Sequence, residues 1–193
     1  MTRAFVAILL TDAARQAVAA EIERLRPLSR AVAWVPAQNL HLTLQFLGEQ
    51  PEERLSEAEA ALGEAAAGAA PFALTLHGLG AFPGLERPRI IWVGVAQGAL
   101  EARALQSRVA AALGDRGFLP ENRPWHAHLT IGRVFDERRW RRETRPGLRE
   151  AITRLGSAGF GEVPVASIAL MRSDLHPSGA HYSALRAFGL GPS

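Results

Sequence analysis

The order of apolar and polar residues predicts strands and helices that follow one another along the chain. The apolar segment 4–10 predicts a first buried strand. Thr11 or Asp12 can cap a helix that runs to about Leu25 and is ended by Pro27. The segment AVAWVP, residues 31–36, predicts a short strand before Pro36.

The rest of the chain continues this pattern, often with two strands in a row. Helices are predicted over 51–67 and 99–113, and a third includes Leu148, Ile152 and Leu155, with Pro146 near its start. Strands are predicted over 72–79, 89–95, 167–175 and 182–188. Consecutive strands favour an α+β fold over a doubly wound sheet, and the absence of a linker favours a single domain over 1–193.

The segment NLHLTLQFLGE, residues 39–49, predicts a strand that Gly48 ends. Because side chains alternate between the two faces of a strand, one face should carry polar side chains and the other apolar ones. The polar face would hold His41, Thr43 and Gln45, and the apolar face Leu42, Leu44 and Phe46. An ionisable ring and a hydroxyl therefore share one face of a strand that is otherwise typical of a protein core.

The same arrangement occurs a second time, since His128-Leu129-Thr130-Ile131 repeats the pattern of His41-Leu42-Thr43-Leu44. One copy would be weak evidence, but two copies on apolar strands indicate a function and a possible internal duplication. Two imidazoles can act as general acid and general base near neutral pH. Hydroxyls of Thr43 and Thr130 can donate hydrogen bonds to phosphate oxygens. The repeated pair therefore indicates phosphoryl transfer without a metal, and two buried structural histidines are the alternative.

Composition removes several other chemistries. The chain has no cysteine, which excludes disulfides, thiolate metal sites and cysteine nucleophiles and fits a reducing cytoplasm. All 22 basic residues are arginine, so Schiff-base chemistry on lysine is excluded. The net charge of +3 and the sequence pI near 10.7 favour an anionic partner. A local run of five arginines is either an RNA-binding patch or a solvated surface: Arg138, Arg139, Arg141, Arg142 and Arg145.

No segment approaches the roughly 20 apolar residues that cross a bilayer. The apolar start of the chain is short and ends at Asp12, which favours a strand over a signal peptide. We therefore expect a soluble, cytoplasmic protein without a membrane partner, and a monomer.

The two motifs, WVPAQNLHLTLQFLGE and HAHLTIGR, resemble the paired signatures of the two-histidine phosphoesterases. The similarity extends from RAFVAILL near the start to SDLHPSGAHYSAL near the end, and it is greatest to the bacterial and archaeal RNA 2′,3′-cyclic phosphodiesterases, also described as 2′-5′ RNA ligases. This resemblance implies a bilobal α+β fold, in which two pseudo-symmetric, intertwined lobes with antiparallel sheets line a central groove. It implies hydrolysis of RNA or nucleoside 2′,3′-cyclic phosphates to 2′-phosphates without a cofactor, and possible reversible 2′-5′ ligation.

The resemblance also implies roles for single residues. His41 matches the proton donor to O3′, and His128 matches the acceptor of a proton from water. Thr43 and Thr130 match the phosphate-binding threonines. Arg133 matches a substrate-binding arginine, but strict alternation would put it on the face opposite His128, so this role requires a bulge or the end of the strand.

One departure from the family pattern precedes the second motif, where relatives usually have proline and this chain has Ala127 after His126. His126 and His128 would project on one face, so the pair could bind a metal, although no third ligand is evident and we expect none. His126 could instead contact substrate or lie at the rim of the groove. Candidates for stacking on a base are Phe46, Trp34 and Trp125, with burial in the core as the alternative.

Two other functions remain open from the sequence. The chain could act on another cyclic phosphate, such as a nucleotide or an ADP-ribose derivative. It could also be an RNA-binding module without catalysis, which two titrating histidines argue against, because binding alone does not require them.

Overall fold

The computed structural model describes residues 1–119, 122, 124–177 and 179–191. Within these residues the chain forms nine strands and five α-helices, which confirms the predicted α+β class. The strands are β1 (Thr2–Leu9), β2 (Val32–Trp34), β3 (His41–Gln50), β4 (Phe72–Phe82), β5 (Ile90–Val95), β6 (His128–Val134), β7 (Gly159–Val165), β8 (Ser167–His176) and β9 (Gly179–Gly189). The helices are α1 (Asp12–Leu25), α2 (Glu52–Ala67), α3 (Ala99–Gly114), α4 (Glu137–Glu143) and α5 (Pro146–Arg154).

The strands form one antiparallel sheet in the order β7-β4-β5-β6-β3-β1-β8-β9, with β2 paired to β6. We call β3, β1, β8 and β9 the first half-sheet and β6, β5, β4 and β7, with β2, the second half-sheet. The halves meet between β3 and β6, where the pairing is Leu42 with Leu129. Each half places its motif strand at this junction and three further strands beyond it along the sheet, and the second half also carries β2. This is the pseudo-symmetric, two-lobed arrangement that the resemblance implied.

One face of the sheet carries the main hydrophobic core. Leu42 and Leu129 are fully buried there with residues of the helices, such as Ile22, Leu62 and Val109. On the opposite face, a small separate cluster consists of Phe5, Ala7, Ala169 and Met171, with Tyr182 packed against it. The face with the small cluster carries the motif side chains and is the groove face.

Local chemistry explains most element boundaries. The Thr11 hydroxyl caps α1 by accepting a hydrogen bond of 3.2 Å from the Ala14 amide, as predicted. The prediction that Gly48 ends β3 is wrong. Gly48 has a positive φ of 71° at an irregularity in the pairing with β1, and the strand continues to Gln50.

Two elements had not been predicted, α4 and β7. Strand β7 contains Pro164, which lacks an amide donor, and it lies at an edge of the sheet where such a residue is tolerated. Helix α4 carries most of the arginine run. Arg141 pairs with Glu137, and Arg139 and Arg142 pair with Glu143, so these charges belong to a solvated surface with local ion pairs.

Among the described residues, no helix combines the length and the apolar character that crossing a membrane requires.

Candidate active site

The junction between the half-sheets brings the two motifs together. Extending the Leu42–Leu129 pairing by one residue on each side puts His41 opposite Thr130 and Thr43 opposite His128. Directly opposite side chains of an antiparallel pair lie on one face, with Cβ atoms about 5 Å apart. The leucines point into the core, so the two histidines and two threonines share the groove face. All four are half-buried.

Each motif strand contains a bulge directly after its threonine. In β3, Ala7 of β1 pairs with Thr43 and Val6 with Gln45, which leaves Leu44 as the extra residue. The bulge reverses the alternation beyond it, so the predicted faces of Gln45 and Phe46 are wrong. Gln45 is buried and donates to the Phe118 carbonyl at 3.3 Å, and Phe46 lies on the groove face with 41% of its surface exposed.

The bulge in β6 has the same position. Trp92 of β5 pairs with Thr130 and Ile91 with Gly132, so Ile131 is the extra residue. Arg133 is therefore exposed on the face of Thr130, which meets the condition that its predicted role required. Counted from each histidine, Phe46 and Arg133 are equivalent positions. One half-sheet places an aromatic ring there and the other a guanidinium.

His41 is fixed by hydrogen bonds on both ring nitrogens. Nδ1 lies 2.7 Å from the Asn39 carbonyl oxygen, and Nε2 lies 3.0 Å from Oγ1 of Thr43. Because a carbonyl can only accept, Nδ1 carries a proton, and Nε2 is the atom that exchanges one. The ring also meets Tyr182 edge-on, with centroids 5.3 Å apart.

His128 is held in a similar way. Its Nδ1 lies 2.8 Å from the His126 carbonyl oxygen, so its Nε2 is likewise free for proton exchange. Phe82 meets its ring edge-on at 5.4 Å, as Tyr182 meets His41. The two histidines are thus held in the same way. The backbone carbonyl two residues before each histidine accepts a hydrogen bond from Nδ1, and an aromatic side chain packs edge-on against each ring.

The surroundings lower the pKa of both imidazoles below their ordinary value. Burial is the main cause at each ring, because it disfavours the charged form, and the hydrogen bond to the backbone carbonyl opposes it. The positive charge of Arg133 lowers both pKa values further, and His126 contributes at His128. Arg133 acts on both rings because it lies on the groove face at the strand junction.

The other sequence candidates lie around this centre. His126 is exposed at the rim beside His128, and the described residues contain no cluster of three histidine, aspartate or glutamate side chains that could hold a metal. Trp34 is buried in the core and cannot stack on a base. Trp125 is half-buried, and its indole donates to the Thr43 carbonyl at 3.0 Å, which ties the segment before β6 to β3.

Sequence reasoning missed several side chains that support the site. Asn39 is buried, and its amide donates to the Ala180 carbonyl at 2.6 Å, while its own carbonyl holds His41. Tyr182, Phe82 and Trp92 reach the groove from strands that are distant in the chain. The single signal available was the position of Asn39 two residues before the histidine.

Comparison with known proteins places this geometry in a wider context. The family model of the 2′-5′ RNA ligase superfamily matches residues 14–177. An RNA 2′,3′-cyclic phosphodiesterase of Aquifex aeolicus is 34% identical over 99% of this chain and 98% of its own, and one of Archaeoglobus fulgidus is 36% identical over 96% and 99%. The crystal structure of E. coli LigT complexed with 3′-AMP has a TM-score of 0.78 and 26% identity, and 98% of each chain is covered.

Proposed function

The chain belongs to the 2′-5′ RNA ligase superfamily, and we propose that it hydrolyses the 2′,3′-cyclic phosphate of RNA ends or nucleotides and leaves a 2′-phosphate. Relatives named RNA 2′,3′-cyclic phosphodiesterase, similar over nearly the whole chain, support this activity. The observation that carries the proposal is the shared face of His41, Thr43, His128 and Thr130 at one pair of strands. Because each half-sheet supplies one histidine and one threonine, residues 1–193 would act as one catalytic unit.

The proposed reaction uses Nε2 of each histidine. His128 accepts a proton from water as the water oxygen attacks phosphorus. The bond from phosphorus to O3′ breaks, and Nε2–H of His41 gives its proton to O3′. The product carries a 3′-hydroxyl and a 2′-phosphate, and the histidines end with exchanged protonation, which solvent restores.

The remaining groups would hold the charge of the phosphate. Thr43 and Thr130 lie across from the partner histidines, where their hydroxyls can donate to the non-bridging oxygens. Arg133 adds a permanent positive charge on the same face. These residues supply proton transfer and charge stabilisation, so the proposed mechanism uses no metal or cofactor. We expect a monomer that acts in the cytoplasm.

The test is to treat a nucleoside 2′,3′-cyclic phosphate with the enzyme and to identify the monophosphate by phosphorus NMR. We expect 2′-phosphate. Predominantly 3′-phosphate would show that O2′ leaves, and it would refute the proposed orientation of the substrate. A panel that includes ADP-ribose 1″,2″-cyclic phosphate separates RNA ends from other cyclic phosphates, and lack of turnover on every member would favour a binding module.

A further inference from the structure

The two half-sheets meet over a short junction. Among the described residues, β3 and β6 pair at Leu42 and Leu129, whereas β1 and β3 pair over eight residue pairs and β5 and β6 over five. Strand pairing alone therefore gives limited control over the separation of the two motifs. In the proposed reaction both histidines must reach one phosphate from opposite sides, so a small displacement at the junction would misplace both proton transfers.

Trp125 adds a link across this junction. It lies three residues before His128, and its indole Nε1–H donates a hydrogen bond of 3.0 Å to the Thr43 carbonyl. Strand β6 begins at His128, so the bond is made just before the strand starts. The accepting carbonyl belongs to the residue directly before the bulge in β3. A side chain that leads into the second motif thus holds the backbone of the first motif.

The link reaches both catalytic imidazoles. On one side, Oγ1 of Thr43 lies 3.0 Å from Nε2 of His41. On the other side, the carbonyl of His126, the residue after Trp125, accepts a hydrogen bond from Nδ1 of His128. A continuous path of hydrogen bonds and backbone therefore joins the two rings, so a shift of Trp125 would displace the support of each histidine.

The indole N–H of Trp125 differs from those of the other three tryptophans. Trp34, Trp92 and Trp140 have buried Nε1 atoms that find no hydrogen-bond partner among the described residues. The Trp125 ring is half-buried, packs against the main core on one side and lines a cavity of about 500 Å³ on the other. Its packing resembles that of an ordinary core aromatic residue, and its hydrogen bond is the added feature.

A second contact fastens the same connection between α3 and β6 to the first motif strand. The side-chain amide of Gln45 donates a hydrogen bond of 3.3 Å to the carbonyl of Phe118, and both residues are buried. Phe118 follows α3, and Trp125 precedes β6. Strand β3 thus holds this connection near its start and near its end, which is the arrangement expected if the first motif strand also positions the second histidine.

We propose that Trp125 is a positioning residue, which sets the separation of the proton-donating and proton-accepting histidines through its hydrogen bond to the Thr43 carbonyl. This inference rests on the proposed function. In this role Trp125 touches neither the substrate nor the reacting atoms, and it takes no part in proton transfer. It acts by fixing Thr43 relative to the residue that holds His128, so that both Nε2 atoms face the same phosphate.

The test is the variant Trp125→Phe, which keeps an aromatic ring and removes the N–H. At a temperature where thermal unfolding shows the variant to be folded, kcat for a 2′,3′-cyclic nucleotide should fall by about tenfold, because misplacement by about 1 Å can cost up to about 100-fold. KM should stay within about twofold, since the groups that bind the phosphate are unchanged. Trp34→Phe is the matched control, because the Trp34 indole makes no hydrogen bond to the described residues, and its kcat should equal that of the wild type.

Nitrogen NMR provides a second readout that does not depend on turnover. In Trp125→Phe the Nε2 signal of His41 should shift, because the Thr43 hydroxyl beside it loses its fixed position, and in Trp34→Phe it should not. A kcat within twofold of the wild type, or a loss confined to KM, would overturn the positioning role. If the wild type hydrolyses no cyclic phosphate, the proposed function is refuted, and an unchanged His41 signal in Trp125→Phe would then overturn the link between the motifs as well.

Discussion

Asn39, which holds the His41 ring through a hydrogen bond, allows a sharp test of how this histidine is positioned. The backbone carbonyl of Asn39 accepts a hydrogen bond from Nδ1 of His41. The buried side-chain amide of Asn39 donates a hydrogen bond of 2.6 Å to the Ala180 carbonyl and so holds Asn39 in place. Replacement by alanine keeps the carbonyl that holds the imidazole but removes the amide that holds the carbonyl in place. The variant Asn39→Ala therefore tests the position of the His41 ring while it leaves both catalytic histidines in the chain.

The expected effects follow from this geometry. The Ala180 carbonyl loses its donor in a partly buried position, which should cost about 1–3 kcal/mol of the free energy of unfolding. Nε2 of His41 must reach hydrogen-bond distance of the leaving oxygen, and misplacement by about 1 Å can cost up to about 100-fold in rate. Because the Thr43 hydroxyl and the Tyr182 ring still support the imidazole, we expect kcat to fall by about tenfold with little change in KM.

The assay is steady-state hydrolysis of a 2′,3′-cyclic nucleotide at a temperature where thermal unfolding shows the variant to be folded. Nitrogen NMR of His41 gives the readout that a loss of stability alone would not change, since the preference for a proton on Nδ1 should weaken. Gln38→Ala is the control, because Gln38 is exposed beside Asn39. If kcat stays within twofold of the wild type while the NMR signals of His41 change, Asn39 does not position a catalytic proton donor.

The other predictions concern the motif residues. His41→Ala and His128→Ala should each lower kcat by about 100-fold or more, through lost acid–base catalysis, and a single variant that turns over like the wild type would contradict the assignment. Thr43→Val and Thr130→Val should cost less, because water or the other hydroxyl can donate to the phosphate. The rate should depend on pH with a bell shape, since one imidazole must be protonated and the other neutral, and the two apparent pKa values belong to the pair. Arg133→Gln removes a charge that lowers both pKa values, so a pH–rate profile of this variant should move to higher pH, and a shift to lower pH would refute the effect. Activity should survive exhaustive EDTA treatment, and recovery only with added zinc or manganese would indicate a metal site that includes His126.

Much of this fold could be predicted from local chemistry. Helix α1 has a capping threonine and a proline after its end, and β3 and β6 repeat one motif, so periodicity and caps were sufficient. Strand β7 was missed because its glycines and Pro164 are typical of a loop. It is a strand because β4 offers it an edge, and such an edge exists only once the sheet has formed.

Some side-chain positions in the site could not be predicted for the same reason, because they depend on contacts that form only in the folded sheet. The sequence indicated that Arg133 needed a bulge, but nothing in it showed that Leu44 and Ile131 would each be an extra residue. A bulge depends on the neighbouring strand, so the side-chain faces of Gln45 and Phe46 could not be derived from alternation. The aromatic side chains that pack against the histidines are Phe82 of β4 and Tyr182 of β9. They could not be predicted because they lie far from both motifs along the chain.

The near-symmetry of the junction bears on which histidine is the acid and which is the base. If the half-sheets were identical, a substrate turned by half a revolution about the axis that passes midway between Leu42 and Leu129 would meet the same groups, with the histidines exchanged and the product unaltered. Neither motif is thus an acid or a base by its own nature. The choice must come from places where the symmetry is broken, and one such place is the equivalent pair Phe46 and Arg133. We expect the exchange of those two side chains to favour the reverse orientation of the substrate, in which each histidine would take the role proposed for the other.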